Sequence, residues 1–120
     1  MNKFERIRVR PGYRSKNLLI EFCGDHRAVG FPNVGEILKR ALNASPVKLF
    51  NADGIKAAIA TDCYIGYWTY VNGNYQIDDD TWCLWVECRE NNQQVIGDVE
   101  NALIQSGLFV KDEVNFEDYV

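Results

Sequence analysis

Most signatures that would announce a function are missing from this 120-residue sequence. It holds a single histidine, His26, so any imidazole base or imidazole metal ligand has to be that residue. No apolar run approaches the roughly 18 residues that cross a bilayer. The start, Met1 to Lys16, is basic and polar with no apolar stretch behind it, which argues against a secretory signal and makes the cytoplasm the expected location. There is no low-complexity segment, no linker and no cofactor fingerprint, so a single domain over residues 1–120 that carries no cofactor is expected.

What is there is ordinary globular composition: 47% hydrophobic, 25% charged and 12% aromatic residues. A chain of this size buries roughly two thirds of its unfolded surface, enough for a core without covalent staples. Cys23, Cys63, Cys83 and Cys88 are therefore expected as thiols in the core. The net charge of −4 hides an asymmetry. Residues 1–16 carry six basic groups and one acid, residues 17–76 five of each sign, and residues 77–120 eleven acids against Arg89 and Lys111. The chain thus has a basic head (+5), a neutral middle and an acidic tail half (−9).

Periodicity and turn chemistry order the elements. Phe4 to Arg10 and Leu18 to Cys23 read as strands around a Pro11-Gly12 turn, and Gly24-Asp25 would close a hairpin into a short strand at Ala28 to Phe31. Asn33 and Glu36 have capping-box spacing ahead of Val34, Ile37, Leu38, Ala41 and Leu42, a helix that Ser45-Pro46 should stop. Residues 47–61 fit a strand or a turn, and Ile55, Ala58 and Ile59 favour a helical turn.

Asn72-Gly73 predicts a two-residue hairpin between Tyr64 to Val71 and Asn74 to Ile77. Its register sets Tyr70 opposite Tyr75 and Trp68 opposite Ile77 on an aromatic side, with Thr69 opposite Gln76 and Tyr67 opposite Asp78 on a polar one. Asp78-Asp79-Asp80 then reads as a solvated loop, and Trp82 to Cys88 as a strand with Trp82, Leu84, Val86 and Cys88 inward. Cys83, Trp85 and Glu87 face the other way, with Trp85 near Tyr67. Asn92 to Ser106 forms a second amphipathic helix ended by Gly107, and Leu108 to Val110 an edge strand. The expected fold class is α+β, a mainly antiparallel sheet with two helices packed on one face.

Five constellations bear on function. Cys23-x2-His26 and Cys83-x4-Cys88 lack the close pairing of a zinc knuckle, so no metal is expected. Cys23 with His26 offers a thiol nucleophile and a base, against the plainer reading of a surface turn histidine. The acids at 78–80 do not interleave with glycine as calcium loops do. Arg6, Arg8 and Arg10 share one strand face and would meet phosphates, though a charged edge strand also blocks aggregation. Direct nucleic-acid binding is opposed by the acidic half, and no membrane contact is expected.

The fifth constellation leads. Asp78, Asp79, Asp80, Glu87 and Glu90 cluster around the third meander strand beside Tyr67 and Trp85, an acidic surface with an aromatic centre. It suits a non-enzymatic inhibitor of a basic partner protein, most readily a nuclease toxin whose active site it would cover, as immunity proteins and antitoxins do. The alternatives are a nucleic-acid-associated regulatory module using the basic head, and a small thiol-dependent enzyme.

Overall fold

The computed structural model describes residues 4–12, 16–47, 64–80 and 83–114. Seven strands, β1 (Glu5–Pro11), β2 (Leu18–Phe22), β3 (Ser45–Pro46), β4 (Tyr64–Tyr70), β5 (Gly73–Asp79), β6 (Leu84–Glu87) and β7 (Phe109–Lys111), form one sheet in the order β3-β4-β5-β6-β2-β1-β7. Every neighbouring pair is antiparallel except β1 with β7. Among the described residues two helices, α1 (Val34–Leu42) and α2 (Asn92–Gln105), pack on one face, and the fold is α+β. Among the described residues no helix is long and apolar enough to cross a membrane.

The strand alternation sets this layering. Val9, Ile20, Val86 and Ile77 stand opposite one another across four strands, and Ile7, Phe22 and Leu84 make a second row on the same side. These rows close a core with Val34 and Leu38 of α1 and with Val95, Ile96, Val99 and Leu103 of α2. Because β6 and β7 both run parallel to β1, α2 has to cross over β2 and β1 to join them, which holds it on that face.

Local chemistry explains the helix ends. The Asn33 side chain accepts from the Glu36 N–H at 3.1 Å, and Asn43 in left-handed conformation closes α1 by donating to the Lys39 carbonyl. The helix therefore ends before Ser45-Pro46, which pairs with Thr69 and Trp68 as the edge strand β3 instead of acting as the stop. Gly107 takes φ +77° after α2, as its position predicts.

The start of α2 is fastened by one amide. Asn92 Nδ2 donates to the carbonyls of Leu18 (2.9 Å) and Cys88 (2.8 Å), while its Oδ1 accepts from the Leu18 N–H at 2.8 Å. The β2–β6 ladder stops at Leu19 opposite Glu87, and Asn92 takes up the main-chain groups just beyond it.

Three sequence expectations change. The hairpin turn is Val71-Asn72, one residue early, so that Trp68 faces Tyr75, Tyr67 faces Gln76 and Ile65 faces Asp78. Gly73 enters the strand because it lies against α2, where a Cβ would sit 2.9 Å from Val95 Cγ2, and its φ is +153°. The turn is also tied to α2: Asp98 accepts from the Tyr70 hydroxyl (2.6 Å) and from Asn72 Nδ2 (2.9 Å), and Asn91 Nδ2 donates to the Asn72 carbonyl. The pairing sum moves by two, so every side chain keeps the face its alternation assigned.

No strand forms at 28–31, since β1 and β6 occupy both edges of β2; Phe31 instead packs on Phe22 and Phe109, with ring centroids 6.4 and 6.2 Å apart. Nor is β1 an edge strand, because β7 adds beside it and leaves three-residue β7 and two-residue β3 as short edges. The expectations for 48–61, Cys63 and Trp82 lie outside the described residues.

Asn92→Ala removes three hydrogen bonds at a partly buried junction, and urea denaturation should show a loss of about 2 kcal/mol. Asn92→Asp keeps only the acceptor and should recover a minor part of it. An unchanged midpoint in Asn92→Ala would remove this amide from the account of how α2 is held.

Candidate functional site

The sheet face opposite the helices carries two cross-strand rows. One runs Tyr67, Gln76, Glu87, Leu19, Arg10 from β4 to β1, and the other runs Ile65, Asp78, Trp85, Glu21, Arg8. Tyr67, Asp78, Trp85 and Glu87 thus share one face, within two rows of adjacent strands. Trp85 lies beside Asp78 in register, one row from Tyr67, with β5 between them.

Asp78 is a strand residue rather than part of a solvated loop, and it is only 4% exposed. Flanked by Ile65 and Trp85, its carboxyl lies against Gln76 and Glu87. Gln76 Nε2 donates to both Asp78 oxygens (2.9 and 3.2 Å) and to Glu87 Oε1 (3.0 Å), which also accepts from Trp85 Nε1 at 3.2 Å. Two carboxyls thus meet around one amide and one indole, with no cation in the cluster. Burial and the neighbouring Glu87 raise the Asp78 pKa to about 7, against the pull of the Gln76 donor. Near neutrality Asp78 is therefore partly protonated and carries less than a full charge.

Asp79 belongs to the other face. Its register partners are Tyr64 and Leu84, at the end of a core row, so its carboxylate points to the helix side and needs compensation there. His26 supplies it: the ring is 5% exposed, and Nε2 lies 2.9 Å from Asp79 Oδ1 and 2.8 Å from the Asp80 carbonyl. Both partners are acceptors, so Nε2 carries the hydrogen. Arg27 adds a contact to Asp79 at 3.1 Å and lies over the Tyr64 ring. The surface turn histidine of the sequence reading is therefore a buried brace for the 24–33 loop. Asp80 caps the following turn by accepting from the Cys83 N–H at 2.9 Å.

A pocket of about 430 Å³ lies between this His26–Asp79 pair, Phe31, the first turn of α1 and Trp68. Its described lining contains no serine, threonine or cysteine to act as a nucleophile beside the imidazole. Cys23 is exposed and its pKa is raised by desolvation, Cys83 is exposed too, and among the described cysteines Cys88 alone is buried. Cys23 thus lies at the surface against the core expectation, whereas Cys83 is exposed on the outward side that its alternation assigned.

Arg6, Arg8 and Arg10 of the basic head lie on the same face as Asp78 and Glu87. Arg10 pairs with Glu21, while Asp112 accepts from Arg6 at 2.7 Å and stands 3.8 Å from Arg8. Much of the arginine stripe is thus compensated within the sheet, which weakens it as a phosphate-binding surface.

A second cavity, about 350 Å³, opens where β5 and β6 part beyond Gln76 and Glu87. Tyr67, Gln76 and Glu87 reach it from the open face, Trp68, Tyr75 and Cys88 from the helix side, and Arg89 and Glu90 from the connection to α2. Tyr67 is 37% exposed and Glu90 is exposed, so this notch forms the accessible end of the acidic and aromatic surface. Sequence reasoning missed it, since strands that separate after a given pair leave no local signal. No protein-family model, curated protein or solved structure matches the chain.

The Asp78 proton sets a pH window. The unfolded chain releases it near 3.8, whereas the folded chain keeps it to about 7, so its stabilising contribution is full below the lower value and lost as pH rises through the window. Asp98, whose pKa is lowered by its Tyr70 and Asn72 donors, acts in the opposite sense, losing its contribution as pH falls through the acid range. Denaturation should therefore show lower stability at about pH 8 than at about pH 5, by on the order of 2 kcal/mol, and Asp78→Asn should flatten that difference. A profile that Asp78→Asn leaves unchanged would show that the proton is not held there.

Proposed function

We propose that this protein is a cytoplasmic, non-enzymatic inhibitor that binds a basic partner protein through its open sheet face, the partner being of the nuclease-toxin type. The observation that carries this reading is the juxtaposition of Tyr67, Glu87 and Glu90 at the notch, with Trp85 in the neighbouring row, on a sheet face that no described helix covers. Aromatic side chains supply desolvated contact area, and neighbouring carboxylates draw in and orient cationic side chains. The roles within the acidic group differ. Glu87 and Glu90 meet the partner, Asp78 stands behind Glu87 through the Gln76 amide from which both accept, and Asp79 and Asp80 hold His26 of the 24–33 loop.

Inhibition follows from coverage. A nuclease active site is built to receive phosphates, and a face carrying carboxylates at the spacing of adjacent strands competes for the same cations while its aromatic centre excludes water. Long-range attraction speeds encounter, whereas the packed aromatic contact sets how long the complex lasts.

Affinity capture from the source cells at low and at high salt tests the proposal. A basic protein should be retained at low salt, and the purified chain added in equimolar amount should suppress its nuclease activity. Glu90→Lys should slow association, by about tenfold at low salt, with little change in dissociation, while Tyr67→Ala should mainly accelerate dissociation. Retention of no basic protein in either condition would sink the idea.

A further inference from the structure

Among the described residues, one buried side-chain polar atom finds no hydrogen-bond partner: the hydroxyl of Tyr75. Tyr75 is 2% exposed, its ring is held parallel to Trp68 (6.4 Å between centroids, 6° between planes) and edge-on to Tyr70, and it lines the notch between β5 and β6. A buried hydroxyl without a partner is disfavoured and uncommon. The same notch is lined by Tyr67 and Trp68 and by two acidic residues, Glu87 and Glu90, against the one basic residue Arg89. Glu87 Oε1 accepts from Gln76 and Trp85, so those two donors hold its carboxyl in place beside the notch.

We infer that the notch is a receptor pocket for one arginine side chain of the basic partner, whose guanidinium it takes between carboxylates and aromatic rings. Each feature of that group has a counterpart in the notch. Its positive charge meets Glu87 and Glu90, its plane suits stacking on aromatic side chains, and its several N–H donors suit the exposed Glu90 and the unpartnered Tyr75 oxygen as acceptors. A lysine ammonium has the charge but neither the plane nor the fork, and it gives up its hydration less readily. The volume, about 350 Å³, lies at the small end of the roughly 300–1,000 Å³ of ligand pockets and suits one long side chain rather than a strand or helix. This inference rests on the proposed function for the source of the arginine, though not for the chemistry of the notch.

Titration of the full chain with N-acetyl-arginine amide, followed by backbone amide shifts in NMR, tests it directly. Saturable shifts should appear at Tyr67, Tyr75, Glu87 and Glu90, with N-acetyl-lysine amide at least about fivefold weaker and the neutral norleucine amide without effect. Glu90→Gln should weaken arginine binding by about threefold or more, and Tyr75→Phe, which keeps the ring and removes the hydroxyl, by a similar factor. Since Glu90 is exposed and outside the core, a loss in Glu90→Gln is not a folding defect. No saturable arginine response at these residues, or an equal response to the norleucine amide, overturns the inference.

The complex separates the two readings. If a basic partner is captured and Glu90→Gln and Tyr75→Phe leave its affinity unchanged, the notch inference fails and the interface stands. If arginine titrates into the notch while no basic protein is captured, the notch stands and the inhibitor reading fails.

Discussion

The covering of one sheet face by two helices is the constraint on which the other features depend. Ile7, Val9, Ile20, Phe22, Leu84 and Val86 have to point toward α1 and α2, where they meet Leu38, Val95, Val99 and Leu103 in a single buried cluster. Alternation along each strand then leaves no freedom for the residues between them. Arg8, Arg10, Glu21, Gln76, Asp78, Trp85 and Glu87 are delivered to the far side together, because their neighbours are committed to the core. The polar rows are thus the complement of the hydrophobic ones.

That complement is internally balanced in an uneven way. On the β1 and β2 side, opposite charges meet, with Arg10 against Glu21 and Arg6 against Asp112. On the β5 and β6 side, like charges meet, and Asp78 and Glu87 rely on the Gln76 amide, the Trp85 indole and a retained proton. Arg6, Arg8 and Arg10 are therefore neighbours of Asp78 and Glu87 across one face. The notch beyond Glu87 is where the acidic side remains open to a cation from outside.

Much of this was legible from residue order. Period-two alternation in Trp68 to Ile77 and Leu84 to Cys88 assigns faces correctly, and even the displaced hairpin keeps them, because moving the turn by one residue changes the pairing sum by two. The α1 cap is readable from Asn33 and Glu36, since capping is a contact over three residues. The turn position was not, because the close approach of Gly73 to Val95, twenty-two positions away, outweighs the local preference of Asn72-Gly73 for the turn. The acid triplet misled for a related reason: three consecutive acids read as a solvated loop only if their strand has already ended.

Composition, alternation and capping by themselves determined the fold class, the two helices and the sidedness of the sheet, all consequences of interactions between residues close in sequence. Tertiary structure alone decided what the acids became. Asp78 and Asp79, adjacent in the chain, lie on opposite faces, one buried beside Glu87 and the Gln76 amide with its pKa raised, the other paired with His26 from the 24–33 loop. The state of a carboxyl depends on which distant donors and charges reach it and on how much water it keeps, and those are fixed only once strands and loops have met.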